Sequence, residues 1–569
     1  MSDKKQIVFI GLPGSGKTSV GRLVAGRLGR TFSDADQEIS RQAGISIPEI
    51  FAAHGEDYFR DLEVEVISRL LRGDTAVIAL GGGAITRSDT AAALADKEVV
   101  FLDVSPAVAG ARVGQDSMRP LLQGSDNPSK KITQLEAERR ASYLAAATLS
   151  VPADGSLGEV ADAVIRGLKL EETRPVRCYD LKSLAALPAQ SSDKIRKIPV
   201  TSGSGYQVIV GGSLSSRIAH KLQDRPRKVF LICPAPLESA ARQLAQSLTQ
   251  TGQVVKVFPH PDGEAAKNIR VVEDAWRILG ENHFSREDAV IALGGGATTD
   301  MGGFVAATWL RGIELINVPT SLLAMVDAAV GGKTGINTSL GKNLVGSFYP
   351  PSAVICDLDY LRTLPPRQLR AGLAEVIKCG FIADQKILEL LSECSAENLL
   401  ASPAILEEVI SRAIQVKAAV VSQDLRESGL RECLNYGHTL AHAIEKASCY
   451  QVLHGEAVAI GMVFAAQVAV EMDLLSPSQM ENQRRQIAAL GLPTTCPKYA
   501  FDQLVKIMAS DKKVRGGIIR MVLTAGDGQV SVVPISDYQL LQSAFNAINQ
   551  GADAADNTSS PSGGKGEIG

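Results

Sequence analysis

The sequence predicts an α/β protein of more than one globular unit, with parallel sheets flanked by helices followed by a mostly helical region. Three observations carry that reading. A short apolar strand, Gln6 to Ile10, runs into GLPGSGKT and then a helical pattern through Leu28. From Tyr206 the apolar runs YQVIV, KVFLIC, VVKVFP, AVIALGGG and IELINVP alternate with helical stretches, as strands of a parallel layer do. After Pro351 the pattern turns mostly helical, and three of the seven histidines fall between Leu434 and Glu456.

At 569 residues, 45% hydrophobic and 21% charged, the chain is too long for one core and suits two or three globular units. A net charge of −3 with dispersed basic residues speaks against nucleic acid as a partner. No segment is long and apolar enough to span a bilayer, and the run after MSDKKQ is too short for a signal h-region. The eight cysteines lack CxxC spacing, so they read as packing residues in a reducing cytoplasm.

In the first unit, strand, glycine loop and helix stand in the order a phosphate-binding loop requires; the alternative is a glycine-rich turn and nothing more. Backbone N–H groups of Gly14, Ser15 and Gly16 would cradle phosphate oxygens, Lys17 would reach the terminal phosphates of ATP, and the Thr18 hydroxyl would sit on Mg²⁺. The loop says nucleotide but not acceptor. Acceptor candidates are Asp34 and Asp36 in FSDADQEI, Arg60 in YFRDLE, the glycines of LGGGA and Arg119 in MRPLL. Asp34 and Asp36 also fit an acidic helix cap.

With these motifs the stretch from about residue 5 to 168 resembles shikimate kinase. The resemblance implies that Asp36, Arg60, Gly81, Gly82 and Gly83 hold shikimate, with Arg60 forking onto its carboxylate and Asp36 orienting the attacking hydroxyl. Arg119 would close over ATP in a lid, and Arg112 would flank the adenine. A second carboxylate-binding arginine is expected directly after the tyrosine of RRASYLAA, where this chain has Leu144. Its loss without replacement would cost about 1.5–3 kcal/mol, and Arg139 or Arg140 are the candidates to replace it.

Charge, proline and serine replace periodic hydrophobicity between Glu171 and Lys197, which marks a linker, and the tail from Gly551 is too polar to bury a core. The word AVIALGGGA occurs at Ala76 to Ala84 and again at Ala289 to Ala297 with unmatched flanks. It reads as one device used twice, a buried parallel strand ending in glycines that admit a ligand.

In the second unit DGEAAKN at Asp262 and the triple glycine at Gly294 suit a dinucleotide, although neither is a GxGxxG fingerprint. His438 and His442 lie four apart on one helical face, which fits either metal ligands or two satisfied core histidines. Glu375, an acid in the apolar run AGLAEVIKCG, would complete a ligand set; the alternative is an internal ion pair with Lys378.

Together with NVPTSLLAMVDAAVGGKTGINTSLGKNLVGSF and GLRECLNYGHTLAHAIE, these segments make residues 200 to 545 resemble dehydroquinate synthase. The resemblance implies NAD⁺ held by Asp262, Gly263, Glu264, Lys267, Gly295, Gly296, Asp300, Thr320 and Ser321, with Lys333 and Lys342 nearby. It assigns Zn²⁺ (or Co²⁺) to Glu375, His438 and His454 and leaves His442 to face substrate phosphate, in place of the helical pair. The phosphate would be gripped by Lys333, Asn343, Asn435, His442 and Lys512 or Lys513, and by Arg311 from a neighbouring subunit, which implies a homodimer. Asp327, Lys378, Lys417, Glu427 and Arg431 would surround the substrate's hydroxyls and carboxylate. Taken singly, each of these is more often a surface or salt-bridging residue; the joint pattern reverses that. Two departures, Thr299 for a glycine and Ser321 for a threonine, point to altered NAD⁺ affinity, because Thr299 would crowd the pyrophosphate.

The expected organisation is a kinase unit at 1–170, a linker at 171–197, an NAD-binding α/β domain at 198–355, a helical metal and substrate domain at 356–550 and a disordered tail at 551–569. The expected function is bifunctional and cytoplasmic. One unit phosphorylates shikimate with ATP. The other converts 3-deoxy-D-arabino-heptulosonate 7-phosphate to 3-dehydroquinate and phosphate, with NAD and a metal. Two rivals are a kinase unit that only binds or stabilises a dimer, and a second unit that is a metal-dependent polyol dehydrogenase.

Overall fold

The computed structural model describes residues 5–73, 76–113, 128–170, 177–187, 195–222, 227–392, 396–496, 498–510, 519–526, 528–535 and 537–550. Arg119, Lys512, Lys513, the tail from Gly551, and residues 171–176 and 188–194 of the 171–197 segment lie outside the described residues. The chain divides into two compact units. One is Met1–Arg177 with Ala509–Met521 and Val533–Ser543; the other is Cys178–Met508 with Val522–Val532 and Ala544–Gly569.

The first unit holds a five-stranded parallel sheet in the order Phe32–Asp34, Val77–Ala79, Ile7–Ile10, Glu98–Asp103, Leu149–Pro152. Ile7–Ile10 is central and all four of its side chains are buried, which is why IVFI carries no polar alternation. Each such aliphatic or aromatic side chain contributes on the order of 1.5–3 kcal/mol by leaving water. The strand ends at the glycine loop, where Gly14 and Gly16 adopt φ of 80° and 85°, and Gly16 heads the helix Lys17–Leu28.

The second unit contains a seven-stranded sheet in the order Val254–His260, Lys228–Pro234, Ala289–Gly294, Glu314–Pro319, Ala353–Asp357, Tyr206–Gly211, Arg196–Val200. It is parallel apart from its last pair. The two-residue period of Ala289–Gly294 sorts its side chains into two cores. Ala289, Ile291 and Leu293 face Leu244 and Leu248, whereas Val290 and Ala292 face Val272, Leu279 and Met301. Ala353–Asp357 interrupts the helical pattern expected after Pro351 and runs across the 355/356 division, since Cys356 and Asp357 pair with Val210 and Gly211.

Beyond that strand the helices Pro366–Ile382, Pro403–Gln423, His438–Ala447 and His454–Glu471 pack closely. Two glycines set their spacing. A Cβ at Gly455 would stand 1.7 Å from the Ala371 carbonyl oxygen, and one at Gly461 would stand 1.9 Å from that of Gly437. The helix that begins at His454 therefore lies against both the helix carrying Glu375 and the turn that launches His438.

Candidate functional site

In the first unit Lys17 Nζ donates to the carbonyls of Gly11 (3.0 Å) and Leu12 (2.9 Å), which holds the amine over the glycine loop. Thr18 Oγ1 donates to Asp34 Oδ2 at 2.6 Å. The other oxygen of Asp34 accepts the N–H groups of Asp36 (3.0 Å) and Gln37 (3.3 Å). The acidic-cap alternative thus holds for Asp34 but not for Asp36. The Ser15 hydroxyl in the loop is buried without a hydrogen-bond partner, a group that suits an incoming phosphate oxygen.

Asp36, Arg60 and the triple glycine come together. A Cβ at Gly81 would meet Asp36 Oδ1 at 2.6 Å, one at Gly83 would meet Arg60 Nη1 at 2.6 Å, and one at Gly82 would touch Pro13 of the phosphate loop at 3.0 Å. Glu63, one helical turn after Arg60, holds that guanidinium at 2.8 Å. Burial pushes the Glu63 carboxyl up, against the opposing charges of Arg60, Arg139 and Arg87. Arg112 is fixed to the carbonyls of Ala153 (3.0 Å) and Gly155 (3.3 Å).

Leu144 is 49% exposed, and the structure distinguishes the two arginines named as replacements. Arg139 reaches this cradle, donating to the Gly82 carbonyl at 2.9 Å beside the Tyr143 hydroxyl, which donates to the same oxygen. Arg140 turns away to Asp103 and Glu136.

In the second unit one ligand atom each from Glu375, His438 and His454 lies within 4.8 Å of the others. The Nε2 atoms of both histidines stand 3.5 Å from Glu375 Oε1. Their Nδ1 atoms are anchored from behind, His438 on the Tyr436 carbonyl and His454 on Glu445, each at 3.2 Å. Glu445 is absent from the sequence reading, although its place seven residues after His438, on the same helical face, is a usable signal. Glu375 Oε2 accepts from Lys378 Nζ, whereas buried Oε1 has no hydrogen-bond partner. The ion-pair alternative and the ligand set therefore coexist on one carboxylate. His442 packs its ring 5.6 Å from that of His438 and is outside the cluster.

Electrostatics fit the same arrangement. Burial drives the His438 ring down to about 3, so it stays neutral as a ligand must. Burial also opposes the charged forms of Glu375 and His454, but their partners win. Lys378 and the two rings hold Glu375 well below the usual carboxylate range, and Glu375 with Glu445 raises His454 to about 10. The carboxylate with an unpartnered buried oxygen and two imidazoles with anchored far nitrogens suit a divalent transition metal.

Around this cluster, Asp327 lies in a π-helical turn, Ala324–Ala328, and accepts from Lys417 Nζ, whose charge outweighs burial and takes Asp327 down to about 2. That turn abuts the second glycine word, because a Cβ at Gly296 would stand 3.2 Å from Ala328 Cβ and one at Gly295 would stand 3.5 Å from Ser321 Oγ. Thr320 N bonds the Gly294 carbonyl at 2.9 Å. Lys267 pairs with Asp300 at 2.7 Å, Glu264 takes Asn337 at 2.6 Å and Lys342 at 3.4 Å, and Asp262 binds its neighbour Gly263 N. Thr299 is 2% exposed and its hydroxyl folds back onto the Gly296 carbonyl at 3.0 Å.

Glu427 joins Lys333 and Asn435, the latter at 2.8 Å. Arg431 is buried and fixed on the Leu425 carbonyl at 2.6 Å, with its Nη2 end so close to Gly331 that a Cβ there would lie 2.6 Å away. Asn343 N bonds Asn337 Oδ1 at 3.0 Å. Arg311 is exposed in the turn Trp309–Arg311 with φ of 67°.

Comparison with known proteins accords with both sites. Residues 13–169 match the shikimate kinase family, and residues 257–371 and 372–514 match the N-terminal and C-terminal parts of 3-dehydroquinate synthase. The chain is 47% identical over 360 residues to 3-dehydroquinate synthase of Paenarthrobacter aurescens, covering 63% of this chain and 99% of that one. A solved structure of 2-deoxy-scyllo-inosose synthase with carbaglucose-6-phosphate, NAD⁺ and Co²⁺ superimposes with a TM-score of 0.57 at 28% identity, covering 62% of this chain and 99% of that one. A 2-epi-5-epi-valiolone synthase from Streptomyces hygroscopicus with NAD⁺ and Zn²⁺ bound gives 0.55 at 28% identity, covering 60% and 96%. No described helix is long and apolar enough to cross a membrane. The chain therefore belongs to the 3-dehydroquinate synthase family and carries a shikimate kinase unit in the same polypeptide, a bifunctional enzyme of the shikimate pathway.

Proposed function

We propose that the first unit transfers the terminal phosphoryl group of Mg²⁺-bound ATP to shikimate, giving shikimate 3-phosphate. The second unit, on this reading, converts 3-deoxy-D-arabino-heptulosonate 7-phosphate to 3-dehydroquinate and phosphate. What chiefly supports the second assignment is the Glu375, His438 and His454 cluster, in which one buried carboxylate oxygen faces both imidazoles without a hydrogen bond. When bound there, a divalent ion such as Zn²⁺ or Co²⁺ lowers the pKa of a coordinated substrate hydroxyl, and NAD⁺ takes and returns a hydride.

The chain's own residues set the stage for that chemistry. Lys378 neutralises one oxygen of Glu375 and leaves the other to ligate. Buried Lys417 and half-buried Asp327 form a pair able to hold or pass a proton beside the reacting carbon. Arg431, held by backbone carbonyls, presents a fixed fork to the substrate carboxylate. Lys333, Asn435 and His442 grip the phosphate, with Asn343, Lys512 or Lys513, and Arg311 of a second subunit in a homodimer.

The nicotinamide cofactor rests along Asp262, Gly263, Glu264, Lys267, Gly295, Gly296, Asp300, Thr320, Ser321 and Lys342. In the first unit Lys17, Thr18 and the loop amides hold the nucleotide with Arg112 and Arg119. Asp36 orients the acceptor hydroxyl, and Arg60 and Arg139 together grip the shikimate carboxylate.

Both reactions are to be assayed on one preparation, with and without a chelator. Chelation is expected to abolish phosphate release by the synthase, and added Mg²⁺ is expected to revive the kinase alone. ADP formation with shikimate no higher than in Lys17→Ala would leave the first unit a binding module. NADH accumulating with substrate would leave the second a polyol dehydrogenase.

A further inference from the structure

Three contacts in the first unit join residues more than 500 positions apart in the chain. Gly26 lies near the end of the helix Lys17–Leu28 that follows the phosphate loop, and a Cβ there would stand 2.1 Å from the Pro534 carbonyl oxygen. Glycine is a poor helix-interior residue, so its use here is accounted for by the close backbone approach it permits. On the same helix Arg22 Nε donates to Asp537 Oδ2 at 2.5 Å, with the two side chains 10% and 7% exposed. The guanidinium also lies 5.6 Å from the centre of the Phe32 ring. The third contact is Gln539 Nε2 to Glu38 Oε1 at 3.1 Å, on the helix Ala35–Ala43 that carries Asp36.

From these contacts we propose that Pro534, Asp537 and Gln539 are a brace of the kinase site. They hold the phosphate-loop helix and the Asp36 helix at a fixed separation, with Asp537 acting on Arg22 as a positioning residue. The geometry supports this over incidental packing. The two braced helices carry opposite halves of the reaction: Lys17 and Thr18 on the nucleotide side, Asp36 on the acceptor side. Their direct link is the bond from Thr18 to Asp34. A buried charge-assisted bond at Arg22 on one helix and an amide bond at Glu38 in the first turn of the other add a second tie.

The proposal rests on the kinase reading above, so its test needs a readout that does not. Asp537 has a second duty, since its Oδ1 accepts Leu540 N at 3.1 Å and so caps the helix Tyr538–Asn549. Asp537→Ser keeps a capping hydroxyl while removing the carboxylate from Arg22. In the full-length protein, amide hydrogen exchange of Lys17–Leu28 and Ala35–Ala43 is expected to quicken at least tenfold in Asp537→Ser and in Gly26→Val, while the helix Leu157–Gly167 of the same unit stays unchanged. The shikimate-dependent ADP rate is expected to fall at least fivefold in kcat with the ATP KM within twofold, and Asp537→Glu is expected to recover it.

Exchange that is unaltered, or that rises equally in Leu157–Gly167, overturns the brace. So does a kinase kcat within twofold of wild type when exchange has quickened. If the wild-type chain itself makes no ADP, the kinase reading fails, and the exchange comparison still decides the brace.

Discussion

The word AVIALGGGA serves two regions of this molecule and does different work in each. In the first unit its strand, Val77–Ala79, is followed by a 3₁₀ turn, Ala84–Thr86, and its glycines face the side chains of Asp36 and Arg60. In the second its strand, Ala289–Gly294, runs straight into the helix Gly296–Thr308, and the glycines face Ser321 and Ala328. The first copy is a floor under charged side chains and suits a small polar acid. The second opens a helix N-terminus, whose free N–H groups suit a dinucleotide's pyrophosphate. Identical residues thus form a buried strand twice but leave it on two different backbone paths, and the surrounding elements decide what each receives.

The largest expected effect breaks the second region alone. Glu375→Gln keeps the shape but weakens the ligand set, and the synthase rate should fall on the order of 100-fold or more, beyond the usual cost of losing an outer partner. Shikimate phosphorylation on the same preparation should stay within twofold. A loss shared by both activities would mean that the two regions are not chemically separate.

The converse break is Arg139→Ala. Losing a charge-assisted bond of about 1.5–3 kcal/mol should raise the shikimate KM roughly ten- to a hundredfold, with dehydroquinate formation unaffected. Leu144→Arg should change that KM little, since the leucine is solvent-facing and Arg139 already occupies the cradle. Steady-state kinetics with shikimate varied decide both points.

A finer probe is Glu445→Gln, which leaves the three ligands in place and loosens the anchor of His454; metal affinity by competition titration should drop about 10–100-fold. The wild-type titration should also depend on pH. Burial disfavours the His454 cation, but Glu375 and Glu445 raise its folded pKa to about 10, so below that pH an ion must displace a proton. Affinity should therefore rise about tenfold per pH unit between pH 7 and 9, and a flat profile would remove this account.

The smallest expected difference makes one substitution in both words. Gly83→Ala pushes on the Arg60 guanidinium and should raise the shikimate KM roughly tenfold, whereas Gly296→Ala needs a shift of a few tenths of an ångström from Ala328 and should alter NAD⁺ affinity by about threefold or less. Equal effects would mean that both words meet their ligands in the same way.

Much of this was legible along the chain because the signals are local. The phosphate loop needs its strand, its glycines and its helix in one continuous run, and the apolar strands announce a parallel layer by their lack of alternation. Glu375 was legible as an acid that needed a partner. That it has several was not, since spacing offered Lys378 or a metal as alternatives and the carboxylate's two oxygens allow both. His442 illustrates the limit of periodicity: helical spacing pairs it with His438, but the helix that starts at His454 brings a nearer imidazole to Glu375.

The sequence by itself determined the fold class and the two enzyme families joined in the chain, because these follow from short-range pattern and from side-chain identity. Tertiary structure alone decided which arginine reaches the glycine cradle, which nitrogen of each histidine faces Glu375, and that Pro534, Asp537 and Gln539 belong with the P-loop unit. Each of those outcomes depends on the approach of helices distant in sequence. That approach is set by glycines such as Gly26, Gly455 and Gly461, where the missing side chain lets a backbone come within contact distance.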